Sequence, residues 1–312
     1  LSKGSFSEKL RAGFRKKKTI KQLEEGHMTD KRGTAVVTGA SSGMGREIAR
    51  GLAEKGFQVI GAARRMDRLR ALTEELEGFT AQQVDFSDPK SLEAFCAYLS
   101  KLPEPVAVLV NNAGYSLRGA IEDVDVEAAK KMFDVNVFAL MRVTQACLPG
   151  MRNQRRGTVV NISSMVGKFP FPMSGVYAAT KHAVEAITDA LRMEVRPFGI
   201  KVIKIRPGFV NTEFNEVANR LAGDLLARTD PDYKPLYQES GAAVGKLFVN
   251  ATVPGPEVIA EMVVEAVLSD SPKVVYSGGF LSEEFLAHRF ELDDEGFDRY
   301  MSEKTGLAGL KL

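Results

Sequence analysis

The stretch "TAVVTGASSGMGREIARGLAEKG", residues 34–56, decides the fold. Thr34–Thr38 is a short run of small and β-branched residues, suited to a strand buried on both faces. Over residues 44–56 the apolar residues recur at helical spacing, and Gly56 stops the pattern. Between strand and helix stand Gly39, Gly43 and Gly45, spaced GxxxGxG. Glycines there permit a tight turn, a close backbone approach to a phosphate and close helix–strand packing. The free N–H groups at the helix start favour an anion. Strand, glycine turn and helix in this order predict a dinucleotide site, with Gly39, Ser41, Ser42, Gly43, Met44 and Gly45 as its candidate contacts.

The same alternation continues outward. Apolar runs at 57–63, 80–85, 106–110, 157–163, 201–207 and 273–278 read as strands. Amphipathic segments at 66–77, 88–101, 125–152, 175–197 and 254–268 read as helices, the third of them as one long element. The pattern predicts an α/β fold, a single doubly wound Rossmann-type parallel sheet with helices on both faces. Residues 34–312 form one domain. Within it, 212–252 is expected to form helices and loops over the carboxyl ends of the strands as a substrate flap, and 280–312 a C-terminal extension.

Composition narrows the function. The chain has 312 residues and a net charge of +2, with 44% hydrophobic and 26% charged residues. Residues 1–33 carry 10 Lys/Arg against 4 Asp/Glu, leaving 32 against 36 in the remainder. The body is thus mildly acidic, which argues against a nucleic-acid partner. Cys96 and Cys147 lack metal or disulfide spacing and the three histidines are scattered, so no metal is expected. No apolar run has the length of a transmembrane helix. A cytoplasmic protein is the expectation. Phe6, Leu10 and Phe14 ahead of a basic run make 1–33 either an appended leader or a basic arm suited to a membrane surface, in both cases outside the fold.

Two further sites carry chemistry. Where a carboxylate for an unphosphorylated ribose would stand, about 20 residues after the glycines, the sequence has Ala63 followed by Arg64 and Arg65. Guanidinium groups suit a 2′-phosphate, so NADP(H) is the expected cofactor. In "SGVYAATKHA", residues 174–183, Tyr177 and Lys181 lie one helical turn apart on one face. A free phenol titrates near pH 10, and a cation beside it is expected to lower that value, which fits Tyr177 for proton transfer to an alkoxide.

In combination, "TGASSGMG" at 38–45, "VDFSD" at 84–88, "NNAG" at 111–114, Asn136 in "FDVNV", "NISS" at 161–164, "YAATK" at 177–181 and "RPGFVNT" at 206–212 resemble the short-chain dehydrogenase/reductase family over about residues 33–280. The resemblance implies Tyr177 as general acid and base, Lys181 as its tuner and ribose ligand, and Ser164 as the hydrogen-bond donor to the substrate oxygen. Adjacent Ser163 is excluded only by its spacing from Tyr177. Asn136 would anchor a water that relays protons through Lys181. Asp85 and Phe86 would border the adenine, and Asn112, Ala113 and Gly114 would pack on the adenosine side. Pro207, Gly208, Val210 and Thr212 would border the nicotinamide.

The tail and the stretches 227–238 and 256–273 resemble the branch of 17β-hydroxysteroid and retinol dehydrogenases. That implies a bulky hydrophobic ketone or aldehyde, steroid-, retinoid- or aromatic-like, and its alcohol as the substrate pair. Phe169, Phe171, Phe209, Phe214, Leu225, Tyr233, Tyr237 and Phe248 are candidates for apolar pocket surface. The flap sequence "DPDYKPLYQ" has no counterpart of the histidine that estrogen-converting members use. The family also implies a homodimer or homotetramer paired through the helices near 125–152 and 175–197. The alternative reading is an NADP(H)-binding regulatory sensor acting through protein partners, which would have no use for the proton-transfer set.

Overall fold

The structure, a computed structural model, describes residues 32–227 and 229–311. The expectation for 1–33 therefore falls, apart from Arg32 and Gly33, outside the described residues. The β-branched runs form seven strands: β1 (Thr34–Thr38), β2 (Gln58–Ala63), β3 (Phe79–Gln83), β4 (Val106–Asn111), β5 (Gly157–Ile162), β6 (Ile200–Pro207) and β7 (Val275–Gly278). They make one parallel sheet in the order β3-β2-β1-β4-β5-β6-β7. The order reverses between β1 and β4, which puts a topological switch point at the carboxyl end of β1.

Helices cover both faces because the strands are apolar on both. On one side pack α1 (Gly43–Glu54) and α2 (Met66–Glu75), and on the other α3 (Pro89–Ser100) and α4 (Val126–Phe133). A π-helical segment, Asp134–Phe138, joins α4 to α5 (Ala139–Asn153), which lies beside α3. The long α6 (Gly175–Val195) completes that face. Two flap helices follow, α7 (Glu213–Leu226) and α8 (Lys234–Lys246). Next comes α9 (Glu257–Leu268), which packs with α1, and then the tail helices α10 (Ser282–Glu291) and α11 (Asp294–Lys304).

The single helix expected over 125–152 is corrected here. Asn136 turns inward, its side chain bonded to both main-chain groups of Tyr115, and the helix widens by one residue to let it do so. Periodicity cannot reveal such an insertion, because apolar spacing resumes beyond it.

Phe169, expected to line a pocket, is also corrected. It is 1% exposed and stacks on Phe285 of α10 at 5.5 Å between ring centroids. Phe171 and Phe297 close on the same rings. The tail is thus a structural wall: its two helices bury their apolar faces against the loop that follows β5. The bridge between Phe209 and Phe280, bonded in both directions at 2.9 Å, pins its start to the exit of β6.

A buried charge cluster ties α6 to β6. Lys204 and Arg206 alternate along β6 and so point to the same face. Glu185 of α6 accepts from Lys204 Nζ at 3.0 Å, and from Arg206 at 3.0 Å (Nε) and 2.6 Å (Nη2). Lys204 also reaches Asp189 at 2.7 Å, and Lys168 lies 3.4 Å from Glu185. Burial by itself would raise the Glu185 carboxyl. The hydrogen bonds from Arg206 and Lys204 and the Arg206 charge outweigh burial and hold it at about 2. Its stabilisation is therefore complete above the ordinary carboxylate value and is lost as pH falls toward about 2. Glu185→Gln leaves two buried cations short of a counter-charge, and a loss of about 3–5 kcal/mol in denaturant unfolding at neutral pH is expected. The acid limb of stability between the ordinary carboxylate value and about 2 should flatten in the same variant. A loss below about 1 kcal/mol, the range of an exposed pair, would show that the cluster does not anchor the helix.

Candidate active site

At the switch point the glycine turn is shaped by crowding. Gly39 has φ +70°, a left-handed conformation that glycine adopts without strain. A Cβ on Gly45 would run into the Gly39 carbonyl oxygen and the Asn112 side chain, so only glycine lets α1 start this close to β1. Thr38, at the end of β1, gathers the neighbouring strand: its hydroxyl accepts from the N–H groups of Asn112 and Ala113, each at 3.0 Å. Asn112 returns a bond from Nδ2 to the Thr38 carbonyl at 2.9 Å. The Asn112 side chain therefore holds the turn in shape. Ser42 caps α1 without a side-chain bond to its N–H groups, and the first turn carries no acid, leaving an anion-seeking helix end.

The arginines at the end of β2 divide. Arg65 crosses to the turn, donating to Ser41 at 3.3 Å and Ser42 at 2.5 Å, and to Glu213 at 2.8 Å. Arg68, unforeseen in the sequence, donates to the other Glu213 oxygen at 2.5 Å. These bonds hold the Glu213 carboxyl below its ordinary range, Arg65 contributing most and Arg68 next. A carboxylate seated between two guanidinium groups marks an anion position beside the glycine turn. Arg64 makes no such bond; its charge acts on Asp85. The Asp85 carboxylate accepts from Ser87 through both N–H (2.9 Å) and Oγ (2.7 Å), which outweighs burial and lowers its pKa.

The side chains of Phe86 and Val210 both turn into the core. Phe86 is buried edge-on against Phe95 in the core beneath β4, and Val210 is buried in the core on the opposite face. Only their main chains remain for a ligand. Met44 is packed against that second core. Gly208 is drawn in by a 2.7 Å bond from its N–H to the Gly278 carbonyl. Thr212 lies against the glycine turn: a Cβ on Gly43 would meet its side chain at 3.3 Å.

The residues expected to transfer the proton gather at the carboxyl end of β5. Tyr177 and Lys181 lie in the first turns of α6. Lys181 is buried, donates to the Ile162 carbonyl at 2.8 Å, and lies 5.8 Å from the centroid of the Tyr177 ring. Burial lowers its pKa to about 8, against the pull of Glu185 one turn further on. Ser164 caps a short turn, Met165–Gly167, and accepts from the Val166 N–H at 3.3 Å. Ser163 is buried with its hydroxyl against Gly167 on the Glu185 side. Ser164 Oγ instead lies 3.4 Å from the Pro207 carbonyl, to which it donates, and of the two serines it is the one that acts on the phenol.

The sequence expectation that Lys181 lowers the Tyr177 pKa is corrected. Burial dominates and raises it well above that of a free phenol. Ser164 and the charge of Arg118 pull the other way, and Lys181 offers its charge to a carbonyl oxygen beneath the ring. Arg118 was not legible as a site residue, since nothing in its sequence neighbourhood marks it. The water-anchoring role expected of Asn136 also changes. Its side chain is 1% exposed and fully used, with Oδ1 on the Tyr115 N–H and Nδ2 on the Tyr115 carbonyl and Thr180 Oγ1. Thr180 in turn donates to the Tyr177 carbonyl at 2.7 Å. Asn136 thus fixes the start of α6, and only its main chain is left to hold a water.

The flap is stitched to the loop before α4. Tyr237 Oη accepts from the Ala120 N–H at 2.7 Å and donates to Asp123 at 2.8 Å. Tyr233 donates to Glu122 at 2.7 Å. Their hydroxyls are spent on this contact, and Leu225 is buried against Gly119. Phe209 and Phe248 pack edge to face, 4.8 Å apart. Of the apolar candidates, Phe214 is the one whose ring meets Tyr177, at 5.8 Å.

The family model for short chain dehydrogenases matches residues 33–221. A probable short-chain type dehydrogenase/reductase, VdlC of Helicobacter pylori, is 39% identical over 59% of this chain and 67% of its own length. Dehydrogenase/reductase SDR family member 7B of Mus musculus is 36% identical over 62% of this chain and 63% of its own. The chain thus spans about two thirds of these curated relatives. Among solved structures, the closed form of serine dehydrogenase complexed with NADP+ superposes with a TM-score of 0.67 and 28% identity, covering 80% of this chain and 95% of that one. With the sheet order, the glycine turn and the matched residues in agreement, this chain belongs to the short chain dehydrogenase family.

Proposed function

We propose that this protein is an NADP(H)-dependent oxidoreductase that interconverts a bulky hydrophobic ketone or aldehyde and its alcohol. The observation that carries this reading is the meeting of Tyr177, Ser164 and Lys181 at one end of a cleft whose other end holds the glycine turn and the Arg65–Arg68 anion seat. The donor chemistry of that seat fits a 2′-phosphate, which would take the place of the Glu213 carboxylate between two planar guanidinium groups. The turn N–H groups of α1 would receive the pyrophosphate. NADP+ bound to a structural neighbour of the same fold supports the choice.

When bound, the nicotinamide supplies or accepts the hydride. The protein handles the proton. Ser164 donates a hydrogen bond to the carbonyl oxygen and stabilises the charge that develops on it. Tyr177 gives its proton to that oxygen in reduction and takes it back in oxidation. Burial keeps the phenol protonated at neutral pH, which suits it to the first task, and an alkoxide is basic enough to receive that proton. Lys181 would reach the ribose hydroxyls and replenish the proton. Phe214 offers an apolar face beside the phenol for the body of the substrate. Val126, Phe138 and Met193, exposed along α4, the π segment and α6, support a homo-oligomer paired through those helices. Among the described residues no helix is long and apolar enough to cross a membrane.

Tyr177→Phe should lower kcat for ketone reduction by at least about a hundredfold while NADPH binding, read by fluorescence, stays within about twofold. Turnover near the wild-type rate would remove Tyr177 from the mechanism. Arg65→Ala should raise the KM for NADPH by about tenfold or more and leave that for NADH little changed, the weight of one charge-assisted bond. Equal effects on both cofactors would place the 2′-phosphate elsewhere. Reduction should also decline as pH rises through about 8, where Lys181 loses its proton and its charge. Lys181→Gln should abolish that limb of the profile.

A further inference from the structure

The loop from the end of β4 to α4 runs along the start of α6. The Gly119 N–H donates to the Met173 carbonyl at 2.7 Å, and a Cβ on Gly175 would meet Ile121 Cδ1 at 2.7 Å. From this loop Arg118 reaches the flap helix α7, where Nη1 donates to Asn219 Oδ1 at 2.9 Å and Nη2 to Asn215 Oδ1 at 3.0 Å. Asn215 follows Phe214, the residue whose ring meets Tyr177. The guanidinium is thereby held between loop and flap, within electrostatic reach of the phenol.

Its partners set it apart from the other arginines that are withdrawn from solvent. Arg65, Arg68, Arg142 and Arg206 each hold a carboxylate. Among the described side chains, which do not include that of Asp224, no carboxylate pairs with Arg118, and the two bonds found go to neutral amides. A guanidinium stays charged at any pH at which a protein folds, so a half-buried one without a counter-charge loses hydration and gains little in return. A purely structural tie to two amide oxygens would not need a cation. Two of its five N–H groups are used, and the remainder form a planar fork that matches a carboxylate.

We propose that Arg118 is a specificity determinant that takes a carboxylate carried by the substrate, so that the preferred substrates are bulky apolar carbonyl compounds bearing an acid group. This rests on the carbonyl-reductase reading and narrows it. The acid group would supply the counter-charge that the flap withholds, while Phe214 faces the apolar body and Ser164 and Tyr177 address the carbonyl oxygen. Flap and loop both hold Arg118, so a seated carboxylate would also fix their relative position over the phenol.

The test compares matched pairs: benzoylpropionate and benzoylbutyrate against their methyl esters, with NADPH, in the wild type, Arg118→Gln and Arg118→Lys. NADPH binding and the thermal midpoint serve as folding controls. The wild type is expected to favour at least one acid over its ester by about tenfold or more in kcat/KM, the value of one hydrogen bond to a charged group. The ratio should fall to about one in Arg118→Gln and to an intermediate value in Arg118→Lys. A role confined to holding the flap would leave the ratio unmoved. Equal use of acid and ester by the wild type, or a preference that survives in Arg118→Gln, would overturn the assignment of Arg118 and leave the carbonyl-reductase reading standing. Reduction of neither acid nor ester by the wild type would overturn both.

Discussion

Glu185 reaches from the middle of α6 into the end of the sheet and holds Lys204 and Arg206 there. The rest of the site depends on that contact. Arg206 precedes Pro207, at the exit of β6 where the cleft begins. Glu185 follows Lys181 by one turn and Tyr177 by two. Burying these charges is costly, and a well-packed apolar substitute would often serve stability as well. Their placement does what apolar packing cannot: directional bonds fix the rotation and the height of α6 against β6. The Asn136–Thr180 pair does the same at the start of the helix, tying Tyr177 to the loop after β4.

The two ends of the cleft use charge in opposite ways. At the glycine turn Arg65, Arg68 and Glu213 are each about 40% exposed, where pairing contributes little and a partner can be exchanged easily. That suits a seat that must release one anion to admit another. At the phenol Lys181 is buried and Tyr177 half-buried, and withdrawal from water decides their protonation: Tyr177 is pushed up and Lys181 down to about 8. Arg118 stands between these regimes, half-buried and bonded to the amides of Asn215 and Asn219. The proposed substrate carboxylate and the proposed proton-transfer set therefore share one charged neighbourhood beside α7.

Much of this was legible in the sequence, for identifiable reasons. Strand runs such as Thr34–Thr38 and Gly157–Ile162 are apolar on both faces, and that alone implies a parallel sheet covered twice. The GxxxGxG turn, and Tyr177 one turn before Lys181, depend on local spacing, which sequence displays directly. What stayed hidden depends on distant partners. The widening at Asn136 needs Tyr115, 21 residues away, and the Arg65–Glu213 pair spans 148 residues. The burial of Phe169 requires the tail helices, which lie more than 100 residues along the chain. The direction of the Tyr177 shift was misjudged for a related reason: helical spacing shows that a cation is near, but not that its ammonium points to the Ile162 carbonyl.

The central claim is that this site moves a hydride to a carbonyl carbon and a proton to its oxygen. The most direct measurement is reduction of a bulky aromatic ketone with NADPH deuterated at the transferring position of the nicotinamide, followed by mass and NMR analysis of the alcohol. The account predicts one deuterium on the carbinol carbon, with the hydroxyl proton drawn from solvent. An alcohol without that deuterium, or NADPH that binds and is never oxidised by any ketone or aldehyde supplied, would contradict it.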